Sequence, residues 1–413
     1  MDSRQRVKTV LDHKISDKIP IDLGSNNCSG ISMIAYNRLR KALGLNGFAK
    51  MYDINMQLAY PEKEILDLFE IDIIDAGQAF LKSKNDWVEW EIDNHNKCLI
   101  PKYLNLQIDK NGTVFLKDNE NCILGIKHKS SLYVNQSYWV WKNLANIPNV
   151  LEEKELNKYS WAIPIPPFNL DFFNDKHLSI IIDTIKNLFT ETNYSIALTV
   201  WCGLIEAGSF LRGFENFLCD VYIDQKRVYQ LLEKLTDNYL KLLEKIINSV
   251  GNYIDILCFG DDIAYEDSMF FSPEILKKIF IPFYKKMWNY VHDNSSCKVF
   301  FHSCGAIYDS IELLIDAGVD ILNPIQTSAK GMDAIKLKKE FGKDLVFWGG
   351  GVDTRKILPF GTKNEIKEDV KKRIEIFNKG GGFVFNPIHN IQADVPPENI
   401  ISCFEAVNEY DRN

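Results

Sequence analysis

KVFFHSCGAIYDSIELLIDAGVDILNP (298–324) decides the fold. Its opening piece, KVFFHSCG (298–305), is a short apolar run that stops at turn-forming residues. A run this short, rich in Val and Phe, reads as a strand buried on both faces. The next piece, IYDSIELLIDAG (307–318), has helical spacing and closes on glycine, and VDILNP (319–324) then repeats the strand pattern. Strand, helix and strand in that order form a right-handed βαβ unit with parallel strands.

The alternation extends in both directions. Upstream lie IPIDLG (19–24), IDIIDAG (71–77), SIALTVW (195–201) and YIDILCFGDD (253–262), and downstream DLVFWGGG (344–351) and GGFVFNP (381–387). Helical patterns fall at PEILKKIFIPFYKKMWNYVHD (273–293) and NEIKEDVKKRIEIFNKGG (364–381), with Gly380, Gly381 and Gly382 placed as a C-cap. Eight strands close a (β/α)8 TIM barrel, so the α/β fold is expected to be one barrel over residues 1–413. An open doubly wound sheet shows the same alternation over any three units, and the count favours the barrel. Residues 80–165 break the pattern with alternating pieces such as DWVEWEI (86–92) and NGTVFLKDN (111–119). They read as a β-rich insertion after the second strand, either a surface subdomain or a cap over the barrel mouth.

Composition narrows the function. The chain has 413 residues, 48 basic and 56 acidic, for a formal charge of −8. That balance supplies no counterion-release term, so nucleic acid is not expected as a partner. A hydrophobic content of 46% with 25% charged residues is that of a globular protein, which excludes disorder and coiled coil. Nine irregularly spaced cysteines read as reduced thiols. No apolar run approaches the ~18 residues needed to span a bilayer, and MDSRQRVKTVLDHK at the start lacks the apolar core of a signal peptide. The expectation is a soluble, cytoplasmic protein with no membrane partner.

Chemistry in such a barrel sits at the C-terminal strand ends. There the sequence places Trp201, Asp261, Asp262, His302, Cys304, Asn323, Asn386 and His389, with Glu206 just beyond Trp201. His302 and Cys304 are two apart in an extended run, so their side chains share a face. An imidazole and a thiolate together suit zinc, and His389 in NPIHNIQ is placed as the third ligand. Three protein ligands with one open position describe a catalytic metal, and Glu206, Asp261 or Asp262 can fill or flank the fourth place. The same spacing also describes a buried histidine beside an inert buried cysteine. Asp261 and Asp262, being adjacent, point in opposite directions. At most one faces the mouth, the other capping the 273–293 helix or orienting a ligand histidine, and the alternative is that both cap that helix. No GxGxxG or P-loop motif follows a strand.

Across most of its length the chain resembles the uroporphyrinogen decarboxylase-like superfamily, and within it the corrinoid-dependent methyltransferases. The carriers include SRQRVKTVLDHKISDKIPIDLG (3–24), FLRGFENFLCD (210–220), FGDD with FSPEILKKIFIPFYK (271–285), KVFFHSCG (298–305), LVFWGGGVDT (345–354) and GGGFVFNPIHNIQADVPPENI (380–400). The resemblance implies a TIM barrel, and zinc held by a His-X-Cys pair that His302 and Cys304 match. The family's later cysteine falls at His389, which can also be a substrate contact. The decarboxylases carry an arginine motif after the first strand, whereas IPIDLGSNNCSG (19–30) has none. A carrier motif Asp-X-His-X-X-Gly is absent, since DKHLSI (175–180) ends on Ile180. The corrinoid (cobalamin) is therefore expected on a separate corrinoid protein.

The implied activity is transfer of a methyl group between an O-methyl ether and that protein, or toward a thiol acceptor. Asp261 and Asp262 would serve as catalytic or orienting carboxylates, with Trp201, Glu206, Asn323 and Asn386 against the substrate. A decarboxylase-like lyase acting on a tetrapyrrole or other carboxylic acid, and a non-catalytic corrinoid- or tetrapyrrole-binding protein, are the competing readings.

Overall fold

A computed structural model describes residues 1–79, 83–93, 95–118, 120–156 and 173–412. Seven parallel strands form one sheet: β2 (Ile73–Asp75), β3 (Ser195–Trp201), β4 (Ile256–Gly260), β5 (Lys298–His302), β6 (Ile321–Asn323), β7 (Val346–Trp348) and β8 (Phe383–Val384). Neighbours in space are neighbours in sequence throughout. The eighth stave, β1 (20–22), bridges both edges by parallel pairs, Ile21 with Phe385 and Asp22 with Ile73. Its ties include Phe385 N–H to Pro20 O at 2.8 Å and Asp72 N–H to Ile21 O at 2.9 Å. All eight staves fall in the eight runs read from the sequence, and the barrel closes.

Every residue of β3 and β4 is buried, because side chains pointing inward fill the lumen and those pointing outward meet helices. The lumen cluster takes alternate residues, including Ile73, Ala197, Ile256, Cys258, Phe300, Ile321, Val346, Trp348 and Val384. Val7, Val10 and Leu11 of helix Ser3–Leu11 join this cluster and stop the barrel floor. That helix begins with a capping box in which Asp2 and Gln5 satisfy each other's backbone N–H groups.

Two helices differ in detail from their sequence patterns. The 273–293 stretch carries a π-helical turn, Leu276–Phe280, just before Pro282, which has no N–H to donate to the preceding turn. The helix Lys363–Phe377 ends on Asn378, and Gly380, Gly381 and Gly382 instead form a left-handed turn into β8.

Between β2 and β3 the chain leaves the barrel. Trp87–Asp93 pairs antiparallel with Asn96–Pro101. Leu106–Ile108, Val114–Lys117, Ile123–Lys127 and Asn135–Gln136 build a four-stranded antiparallel sheet. Residues 157–165, the end of the insertion expected over 80–165, lie outside the described residues, as do 80–82, 94 and 119. Among the described residues no helix is long and apolar enough to cross a membrane.

Candidate active site

The barrel mouth gathers most of the residues named from the sequence. His302 ends β5 with its side chain buried, and its Nδ1 lies 2.6 Å from Asn323 Oδ1. Asn323 is itself oriented, because its amide nitrogen donates to Trp348 O at 3.0 Å. The oxygen of Asn323 therefore faces the imidazole, Nδ1 carries the proton, and Nε2 presents a lone pair. That lone pair looks at Cys304 Sγ, 3.5 Å away. Burial pushes His302 down to about 4, so the ring is neutral at ordinary pH and able to ligate.

Asp261 and Asp262 separate as the strand geometry requires. Asp261 is fully buried and accepts from the N–H groups of Ile205 at 2.7 Å and Glu206 at 2.8 Å, and from Leu204 N–H and the Tyr284 hydroxyl. It caps helix Ile205–Arg212, not the 273–293 helix, although the latter supplies Tyr284. Every contact of Asp261 is internal to the scaffold. Asp262 turns the other way, lines the cavity, and accepts Cys304 N–H at 2.8 Å.

Trp201 reaches the mouth through strained backbone. Trp201 and Cys202 both have left-handed φ, +58° and +52°. Non-glycine residues reach that region at a cost of order 1–3 kcal/mol each, held here by the surrounding barrel. The turn lays the indole over Gly260, where a Cβ would sit 2.6 Å from the ring. Glycine in FGDD is thus required for this approach. The Trp201 Nε1–H donates to Glu206, and the indole lies 5.6 Å from the His302 ring, centroid to centroid.

His389 sits 5.6 Å from His302, ring to ring, and is pushed down to about 4 by burial and then by His302. Its Nδ1 accepts the Asn390 N–H at 2.8 Å, so the neutral ring carries its proton on Nε2. Asn323 and Asn386, expected against substrate, line neither cavity at the mouth. Asn323 fixes His302, and Asn386 ties the β8 end to the β1 loop through Asp22 O and Ser29 O at 3.2 and 3.4 Å.

Two donor sets share His302. A carboxylate oxygen of Asp262, a ring nitrogen of His302 and Cys304 Sγ lie within 4.8 Å of one another, and so do Cys28 Sγ, His302 and His389. Neither Cys28, on the loop after β1, nor Asp53, on the wall of the mouth cavity, stands out by sequence spacing, because both arrive from remote segments. Burial, then neighbouring carboxylates, pushes the Cys304 thiol well up, and Glu206 is raised by burial and by Asp261 and Asp262. So many acidic donors, with no cation facing them among the described residues, fit a divalent metal, which would hold the thiol deprotonated.

The site opens on two adjoining cavities. The inner one, about 330 Å³, is lined by Asp53, Glu206, Asp262, His302 and His389 with Trp201, Tyr133 and Phe210, and among the described residues by no Lys or Arg. The outer one, about 590 Å³, is lined by Trp139, Phe210, Phe214 and Phe270, with Lys142 as the one cation among the described residues. Gln136, Glu206, Phe210 and Asp262 border both. Tyr133 and Gln136 come from the antiparallel region, which thus contributes wall to the site.

Comparison with known proteins agrees with this architecture. The chain is similar to the uroporphyrinogen decarboxylase of Methylococcus capsulatus, 26% identical over 208 residues, covering 50% of this chain and 55% of that protein. It is similar to the same enzyme of Pseudomonas fluorescens at 24% over 258 residues, covering 60% and 67%. The chain spans little more than half the length of the first of these relatives. A solved methyltransferase from Methanosarcina mazei shares the fold over 99% of both chains, with a TM-score of 0.59 at 14% identity. The family model for uroporphyrinogen decarboxylase (URO-D) matches residues 165–410, well over half of the sequence, and the chain belongs to that family.

Proposed function

We propose that this protein is the methyltransferase component of a corrinoid-dependent system, moving a methyl group between an O-methyl compound and a corrinoid carried by a separate protein. One observation carries the reading. Beside the mouth cavity a neutral histidine, a cysteine and a carboxylate form one cluster, and among the described residues no Lys or Arg lines the inner cavity. A porphyrinogen brings several carboxylates, which would meet Asp53, Glu206 and Asp262 with no cation among the described lining residues to pair them. An uncharged aryl ether meets no such penalty, and Trp139, Phe214 and Phe270 offer it flat apolar surface.

His302 and Cys304 would hold zinc, with Asp262 beside the fourth position. When bound, zinc supplies a Lewis acid for the oxygen that loses the methyl group. The other residues have definable work. Asn323 keeps the His302 lone pair facing the cavity. His389 Nε2–H can donate a hydrogen bond to the departing oxygen. Trp201 and Phe210 give the inner cavity apolar wall.

The test is transfer from a panel of methoxyaryl compounds to reduced free cobalamin, which replaces the partner protein. Protein purified without chelator is expected to contain zinc, to lose demethylation on chelation, and to regain it with zinc. Metal-independent release of carbon dioxide from a uroporphyrinogen, with no demethylation of any ether, would overturn the reading in favour of the lyase.

A further inference from the structure

We infer that Cys28 is a second thiolate ligand of the same metal, approaching His302 from the loop after β1 while Cys304 approaches from the loop after β5. The inference rests on the metal reading above and goes beyond it in naming a residue outside the His-X-Cys pair.

Geometry comes first. Cys28 Sγ lies within 4.8 Å of ring nitrogens of both His302 and His389. Cys28 is 4% exposed, and its own sulfur contact, to Asn27 Oδ1, is long at 3.8 Å. Of the two histidines, His302 offers a lone pair at Nε2, whereas His389 carries a proton there. His302 is therefore the nitrogen donor common to both sulfurs.

The loop carrying Cys28 is built to hold it still. Gly24 N–H donates to Ser29 O at 2.8 Å, and Cys28 N–H donates to Asn26 Oδ1 at 2.9 Å. Asn390 clamps both flanks, accepting Gly30 N–H at 2.6 Å and donating to Asn27 O at 2.8 Å. A cysteine that merely filled space would need no such polar frame around it. A metal ligand does, since its donor must sit within about 0.5 Å of the bonding position.

The resulting set is two sulfurs and one nitrogen, a catalytic zinc arrangement with the fourth position bordered by Asp262. On binding, each thiol releases its proton to solvent and forms one metal–sulfur bond, so the metal is neither oxidised nor reduced.

The experiment uses the full chain loaded with one equivalent of zinc and counts sulfur neighbours by X-ray absorption at the zinc edge. Two sulfurs are expected in the parent, one in Cys28→Ser and one in Cys304→Ser. Loading with Co²⁺ should show the sulfur-to-cobalt band in the near ultraviolet halved in each variant. Zinc affinity, read by competition with a chromophoric chelator, should fall by more than about 100-fold in Cys28→Ser, beyond what loss of an outer partner costs. One sulfur in the loaded parent, or an unchanged count in Cys28→Ser, overturns the assignment of Cys28 while leaving His302 and Cys304 as ligands. A parent that takes up no zinc overturns the metal reading itself. Should Cys28→Ser fail to fold by circular dichroism, the parent's sulfur count decides alone.

Discussion

Phe300 and His302 stand on the same strand, two residues apart and on the same face, yet they belong to different worlds. Phe300 points into the lumen and packs edge-on against Trp348, with centroids 5.4 Å apart. His302, one step of roughly 7 Å higher, leaves that apolar column and enters a rim of imidazoles, thiols and carboxylates. Below, apolar side chains fill the lumen, and helix Ser3–Leu11 seals the base with Val7, Val10 and Leu11. Above, polar groups are buried at a cost that packing does not return. The contrast teaches that the floor of this barrel sets stability and the rim sets chemistry.

Substitutions at these two positions separate the roles most sharply. His302→Ala should reduce methyl transfer by roughly 10³-fold or more, since it removes the hub of both donor sets and with it several kcal/mol of metal assistance. Its urea unfolding midpoint should stay near that of the metal-free parent. Phe300→Ala should do the reverse, costing about 3–5 kcal/mol in urea unfolding with an unchanged m-value. The folded fraction should bind zinc as the parent does. A Phe300 variant of full stability would dissolve the distinction between floor and rim.

A smaller effect probes the boundary between them, where Asp22 and Asp75 end β1 and β2. Burial raises Asp22 to about 6, and Asp75 to about 7 with a further push from Asp22. Asp75 Oδ1 is buried without a hydrogen-bond partner. A carboxyl raised in the folded state binds more protons folded than unfolded between its two pKa values. Its contribution to stability is therefore lost as pH rises from about 4 to about 7, and is flat above. Asp75→Asn should accordingly gain stability relative to the parent across that window, by up to about 1.4 kcal/mol per pH unit. Thermal melts at pH 4.5, 6 and 7.5 read the difference, and a gap that stays constant would refute the burial argument.

The parts of this picture that a sequence can carry are those with a period. Apolar runs bounded by turn formers located all eight staves, because residues buried on both faces leave an uninterrupted hydrophobic signature. The two-residue spacing likewise put His302, the last residue of β5, beside Cys304 on the loop that follows it. What has no period was silent. Cys28 and Asp53 reach the mouth from segments more than 200 residues away, and nothing local marks them. Asp261 and Asp262 look equivalent in FGDD, and only the position of helix Ile205–Arg212 shows that Asp261 is taken up as its cap. Asn323 and Asn386 were legible as rim residues, while their work of orienting His302 and tying loops depends on partners across the barrel.

The finest test of the rim concerns His389, whose role turns on a single proton. Its Nδ1 receives the Asn390 N–H, whereas His302 Nδ1 gives its proton to Asn323. Two rings 5.6 Å apart are thus set in opposite senses, one to donate from Nε2 and one to accept. If His389 acts as a hydrogen-bond donor, His389→Ala should leave zinc stoichiometry unchanged and lower turnover by roughly 10²-fold, the range of one general acid. His389→Gln, which keeps an N–H at similar reach, should recover part of that loss. Zinc loss in His389→Ala would instead make it a ligand, and would mean that metal binding forces its proton off Nε2 against the Asn390 hydrogen bond. The rim would then resemble the floor more closely, with each buried group spoken for by a neighbour and none reserved for substrate.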